Sequence, residues 1–278
     1  MTSKTTSRSF AAIGALALSL AAGAANAQLI LSTTANTGNE LAGLTFNDGD
    51  MVQTDAAGSS ASIFFAESNW TSDGDTDAFH ILPDGTYLFS SLFNSQIDGQ
   101  SFDDADLIRY DPNTGTASTY FITESTFDDD FEDISGVSTR ENGNILFSTL
   151  SDASIGGVGF TDGDIVEYDI STGTVSIAVA EDDIFDDGDG DIYGLHYNAD
   201  GTYLLTSVAD EMISGTQFLD GDIFLYDPAN DTATLVFSEA SFTDNGTSYD
   251  IDAIYVIPAP GTGLLLGLAG FAARRRRA

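Results

Sequence analysis

One motif is written four times along the chain, and that repetition restricts the possible folds more than any other feature. FNDGDMVQTD from Phe46, FDDADLIRYD from Phe102, FTDGDIVEYD from Phe160 and FLDGDIFLYD from Phe218 share a single pattern. A second series keeps the same register, with PDGTYLFSSL around Gly85, ENGNILFSTL around Gly143 and ADGTYLLTSV around Gly201. Two series on one clock define a structural unit of about 58 residues.

Within a unit, short apolar runs are separated by turn residues, which is the signature of strands. In the third copy, residues 192–197 and 202–208 flank Ala199-Asp200-Gly201, and the other copies place Asp84-Gly85 and Asn142-Gly143 there. Asp-Gly and Asn-Gly supply the positive φ angles of tight hairpins, so these two strands are antiparallel. A third run, 223–226, and a fourth, 233–237, are joined through Asp227-Pro228-Ala229-Asn230-Asp231, a clear turn signal. Each unit then reads as a four-stranded meander, the blade of a β-propeller. Residues 28–34 match only the second strand of a blade, and 251–257 match only a first strand. The expected fold is all-β: a four-bladed β-propeller over 28–257 whose C-terminal strand closes the N-terminal blade. Closure would remove most exposed sheet edges. A parallel β-helix is the rival, disfavoured by the recurrent hairpin turns, and an eight-bladed ring built from two chains is a further alternative.

Both ends read as addresses. Residues 1–27 carry Lys4 and Arg8, an apolar run and Ala25-Asn26-Ala27, the layout of a secretory signal peptide with its cleavage site. At the other end, 258–278, Pro258-Ala259-Pro260 precedes a short apolar segment expected to form a hydrophobic helix, followed by Arg274, Arg275, Arg276 and Arg277. Such arginines favour the cytoplasmic side of a membrane. This order resembles the PEP-CTERM sorting signal of Gram-negative bacteria, with Ala259 where the name-giving Glu would stand. The resemblance implies an exosortase-type sorting protease as partner and export alongside exopolysaccharide or other envelope components. It also implies membrane contact through the tail alone. An ordinary C-terminal membrane anchor is the alternative reading of the same residues.

Between the two signals stand 44 acidic residues against two arginines, Arg109 and Arg140. That balance excludes nucleic acid and anionic membrane surfaces as partners and favours cations or high salt. Absence of Cys excludes thiol chemistry and a disulfide framework. The acid is concentrated before each first strand. One loop holds Asp73, Asp75 and Asp77, the next Asp128, Asp130 and Asp133, and the third Asp186, Asp187, Asp189 and Asp191; residues 244–252 form the fourth. Short carboxylates spaced by Gly can turn several oxygens inward, as calcium with its six to eight oxygen ligands requires. These ten residues are therefore the candidate Ca2+ ligands, although no loop completes an EF-hand. Solvated acid adapted to salty surroundings is the competing reading. The Asp48, Asp104, Asp162 and Asp220 series, and Asp55, Asp111, Asp169 and Asp227 at the strand ends, read as turn caps.

Catalytic signals are sparse. His80 and His196 occupy equivalent repeat positions with Ser138 between them, so all three are expected to project into the central channel. No Gly-x-Ser-x-Gly, HExxH or phosphate-binding motif is present. The sequence therefore points to a non-enzymatic, exported binding or structural protein with calcium-binding loops. An extracellular polysaccharide hydrolase or lyase is the alternative, and it requires a polar cluster that breaks the repeat symmetry at one channel mouth.

Overall fold

The computed structural model describes residues 28–34, 38–71, 74–128, 132–188, 190–243 and 250–257. Both processing segments, 1–27 and 258–278, lie outside the described residues, as do Asp73, Asp130 and Asp189.

Four antiparallel four-stranded sheets form the body. Blade 1 runs, from the axis outward, Ile254–Ile257, Gln28–Leu31, Met51–Asp55 and Ala61–Phe65. Blade 2 consists of Ala78–Ile81, Tyr87–Ser90, Ile108–Asp111 and Thr116–Thr119. Blade 3 consists of Ile134–Thr139, Ile145–Thr149, Ile165–Asp169 and Thr174–Val179, and blade 4 of Ile192–Tyr197, Tyr203–Ser207, Ile223–Asp227 and Thr232–Phe237. The C-terminal strand pairs with the N-terminal one in the register Leu31↔Ile254 to Gln28↔Ile257. The ring is thus clasped shut inside one sheet, as the repeat phase requires.

The repeated turn chemistry has local causes. Gly85, Gly143 and Gly201 sit at φ of 84°, 88° and 93°, which only Gly adopts cheaply, and each turns the first strand into the second. Asp111, Asp169 and Asp227 each accept a backbone N–H two residues on, from Asn113, Ser171 and Ala229, so the strand-end aspartates are caps.

Two elements go beyond the expected meander. A two-stranded hairpin leaves each blade between its second and third strands: Asn39–Leu41 with Leu44–Phe46, Ser95–Ile97 with Gln100–Phe102, Ala153–Ile155 with Val158–Phe160, and Glu211–Ile213 with Thr216–Phe218. A short helical turn follows each outer strand, at Glu67–Asn69, Glu124–Thr126, Glu181–Ile184 and Glu239–Ser241. One aspartate per blade anchors that turn. Asp50, Asp106, Asp164 and Asp222 accept the first N–H of the helical turn with Oδ1 and a nearer backbone N–H with Oδ2.

Apolar packing is divided by seam. Four buried clusters each combine side chains of two neighbouring blades, for example Phe79, Phe89 and Phe102 of blade 2 with Ile30, Met51, Phe65 and Trp70 of blade 1. The seams are also pinned by hydroxyls. Ser32 donates to the Thr76 carbonyl at 2.8 Å, Ser90 to Ile134 at 2.7 Å, Ser135 to Ile192 at 2.7 Å and Thr206 to Ile251 at 2.7 Å, one clasp from each blade to the next.

Candidate functional site

The inner strands begin at one mouth of the axial channel, and the residues leading into them form an acidic cup. Its rim is fourfold: Asp75, Asp133, Asp191 and Asp250. Their backbone carbonyls accept from Leu92, Leu150, Val208 and Thr34 at 3.0, 3.0, 3.1 and 3.0 Å, so the four residues are held in equivalent positions. The next level inward departs from symmetry, with Asp77, Ser135, Tyr193 and Asp252 at corresponding positions. Ser90 Oγ lies 2.5 Å from Asp77 Oδ1 and Ser32 Oγ meets Asp252 Oδ1, each hydroxyl sharing its single proton with the seam carbonyl, while the Ala253 N–H donates to Asp252.

These two levels meet across the seams. Asp77 of blade 2 lies within reach of Asp133 of blade 3, and Asp252 of blade 1 feels the charge of Asp75 of blade 2. Burial, followed by those neighbouring charges, raises the Asp77 and Asp252 carboxyls well above the usual carboxylate range. Burial, with the charge of Asp104, pushes Asp133 up to about 7 against the hydrogen bond from Asp77, and burial together with Asp220 takes Asp250 to about 6. Tyr193 is raised to about 12 by burial and by Asp250. Oδ2 of Asp77 and Oδ1 of Asp133 find no hydrogen-bond donor among the described residues. The cup is therefore a low-dielectric pocket holding more carboxyl oxygens than it has donors to satisfy.

The candidate calcium ligands divide accordingly. Asp75, Asp77, Asp133 and Asp191 enter the cup. Asp128 and Asp186 do not: Asp128 accepts the N–H groups of Gly156 and Gly157 at 3.2 and 2.8 Å, and Asp186 that of Gly215 at 2.8 Å, each closing the hairpin of the following blade. Asp187 is exposed. Among the described residues no three Asp, Glu or His side chains converge as a metal-ligand set. Asp250 and Asp252 complete the cup but were not singled out as ligands from sequence. Carrying the repeat register through 244–252 would have found both.

The hairpins ring the same mouth, because the loop ahead of each inner strand bonds to a hairpin: Thr71 to Gln96, Asp128 to Ser154, Asp186 to Met212 and Thr243 to Glu40. Phe93, Val158, Met212 and Leu219 are exposed on or beside these hairpins.

Deeper in the channel the walls narrow and then close. Ala78, Gly136, Gly194 and Ala253 form a waist of minimal side chains. Beyond it stand His80, Ser138, His196 and Tyr255. The His80 and His196 rings lie 6.1 Å apart, and Tyr255 meets them edge-on at 5.3 and 5.0 Å. His80 Nε2 shares a hydrogen bond of 2.9 Å with Thr139 Oγ1. Burial lowers His80 to about 3, with help from His196, and lowers His196 to about 4, so both imidazoles are neutral. The rings plug the channel. At its far end Arg140, paired with Glu167 at 2.9 Å and stacked over Tyr197 at 4.7 Å, lines a cavity of about 280 Å³.

Fold and site together define a class: a closed four-bladed β-propeller with a hairpin-ringed acidic cup at one mouth. No family model and no curated relative matches the chain. Solved structures it is similar to include a protein of unknown function from Bacteroides caccae, at 11% identity and a TM-score of 0.36, covering 84% of this chain and 99% of that one. An auxiliary nutrient binding protein from Bacteroides thetaiotaomicron VPI-5482 is similar at 9% identity and a TM-score of 0.32, over 83% of this chain and 43% of that one. Puromycin hydrolase is similar at 12% identity and a TM-score of 0.31, over 72% of this chain and 25% of that one. The chain thus spans less than half the length of the last two. Likeness at this level carries no functional argument, and the fold rests on the strand pairing itself.

Proposed function

We propose that the protein is an exported binding protein of the cell envelope or extracellular matrix, presenting a calcium-loaded acidic face on a propeller scaffold. One observation carries this reading: four hairpins, three of them with exposed apolar residues on or beside them, surround a cup in which buried carboxyl oxygens outnumber their donors. Loops held at one end of a rigid scaffold are where binding surfaces are built. Calcium would discharge the cup, and its oxygen-only donor set suits a hard cation. The partner is exopolysaccharide or another envelope component, and the tail is handled by an exosortase-type protease. To test it, the full chain is titrated with calcium while its melting temperature is followed, and then presented to neutral and acidic glycans with calcium or chelator. A calcium-dependent rise in melting temperature, with calcium-dependent retention of a glycan, is expected. No response to calcium beyond that of sodium at matched ionic strength would sink the reading.

A second reading is favoured by the broken symmetry of the inner level. Two carboxylates, Asp77 and Asp252, stand where the other blades have Ser135 and Tyr193, and a carboxyl kept protonated beside an ionised neighbour is an acid–base pair. Release of reducing ends from a polysaccharide by the full chain, abolished by Asp77→Asn, would favour a hydrolase instead.

A further inference from the structure

The seams solve one problem in two ways, with a hydroxyl or with a second carboxyl, and between blades 1 and 2 Asp252 meets Asp75. At each, a side chain of the inner level approaches the neighbouring blade. Between blades 3 and 4 that side chain is Ser135, whose hydroxyl donates to the Ile192 carbonyl at 2.7 Å. Between blades 4 and 1 it is Tyr193, beside Asp250. Both bring a hydroxyl to the seam. Between blades 2 and 3 the position is Asp77, and what it faces is another carboxylate, Asp133. Asp77 is 3% exposed and Asp133 9%, so water solvates neither freely. Asp77 is already oriented by Ser90 through Oδ1, while Oδ2 has no donor among the described residues, and Oδ1 of Asp133 has none either. Two carboxyls meet where two other seams carry a hydroxyl, and the hydrogen bond between them needs a proton. That proton, or a cation in its place, must stand between them.

We propose that the seam between blades 2 and 3 holds a single calcium ion bridging the Asp77 and Asp133 carboxylates, a metal clasp beside the Ser90 hydroxyl that already ties Ser90 to Ile134. This rests on the calcium reading above and moves the site from within one acidic loop to the junction of two blades. Two carboxylates supply up to four of the six to eight oxygens that calcium takes, with water and backbone oxygens left to complete the shell. A shell with so few charged ligands predicts binding at about 10⁻⁴ to 10⁻³ M, the range of extracellular modules. No third carboxylate is required, which agrees with the lack of a three-ligand cluster among the described residues.

The substitution that tests it is written in the protein's own repeat. Asp77→Ser installs the residue used at the equivalent seam, and Ser135→Asp does the reverse. Calcium stoichiometry of the full chain is measured by isothermal titration for the wild type, Asp77→Ser, Asp133→Asn and Ser135→Asp, with circular dichroism confirming the fold of each. Loss of one equivalent in both the Asp77 and Asp133 variants is expected, with at least one of them folded as the wild type; Ser135→Asp, which the repeat register would set opposite Asp191, is expected to gain one. Calcium binding with unchanged stoichiometry in Asp77→Ser and Asp133→Asn overturns the seam site and leaves the calcium reading intact. Failure of the wild type to bind calcium at all overturns both.

Discussion

The acidic cup and the imidazole plug are built from the same four inner strands, a few residues apart, yet they manage buried polarity in opposite ways. In the plug, two neutral rings stack against Tyr255, and His80 is satisfied by Thr139, while Nδ1 of the uncharged His196 has no hydrogen-bond partner among the described residues. In the cup, carboxylates face carboxylates and two oxygens lack donors. Burial drives both levels toward their uncharged forms, which means proton loss for His80 and His196 but proton gain for Asp77, Asp133, Asp250 and Asp252. The plug reaches that state without help. The cup reaches it only with protons or a cation, and this asymmetry marks it as the responsive end of the channel.

What separates the two levels is the waist, and a change there should have the largest effect. A Cβ on Gly136 would lie 2.6 Å from Ser148 Oγ, 2.8 Å from Leu195 Cβ and 2.9 Å from the Tyr193 carbonyl oxygen. Two of those three atoms belong to the next blade, so the clash opens a seam and cannot be absorbed by one side chain. Gly136→Val is expected to cost about 3 kcal/mol or more, through overpacking against backbone. Chemical denaturation measures it. A near-neutral result would mean that the inner strands are not in close contact at this level, and the division into cup and plug would lose its basis.

The pH response discriminates between the two levels next. Asp133 has a folded pKa of about 7 against an ordinary 3.8, so between those values the folded state binds more protons, and stability falls as pH rises through the window. Asp77, Asp250 and Asp252 act in the same direction. His196, lowered from 6.5 to about 4, does the reverse: the unfolded state binds the extra proton, and stability is lost as pH falls below 6.5. In chelator, four raised carboxyls against two lowered imidazoles predict a protein more stable near pH 5 than near pH 8. Asp77→Asn keeps an acceptor for Ser90 and removes one charge, so it should stabilise the protein at pH 8 by on the order of 1–3 kcal/mol and flatten the decline. His196→Phe should leave pH 8 nearly unchanged and raise stability at pH 5. Thermal melts across pH 4 to 8 read both, and identical profiles for the two variants would show that the levels are not electrically distinct.

The fold was legible because the repeat fixed both the strand count and the phase of the termini. Leu31 pairs with Ile254, as a shared first blade demands. The four hairpins were not anticipated, although Asp98-Gly99 and Ser214-Gly215, both with positive φ throughout, are strong tight-turn signals. They were overlooked because strands of three residues give too short a run for alternation to register. The site was legible only as a region. Sequence groups acids by loop, whereas the seam pairs Asp77 with Asp133 from separate units, and such a pairing emerges only once blades are placed side by side. For the same reason Asp128 and Asp186 looked like ligands: spacing does not reveal that a carboxylate already receives a hairpin's N–H groups.

That last distinction gives the smallest expected effect and the sharpest control on the cup. Asp128 and Asp133 belong to one acidic run, but Asp128 is exposed and held below its ordinary pKa chiefly by the Gly157 N–H. Its carboxylate organises a turn whose glycines sit at φ of 60° and 80°, a geometry that those residues adopt without its help. Asp128→Ala should therefore lower the melting temperature by only about 1–3 °C. It should leave calcium stoichiometry untouched, in contrast to Asp133→Asn five positions on. Equal loss of calcium from both variants would return the ligands to a single contiguous loop and remove the reason for placing the ion at a seam.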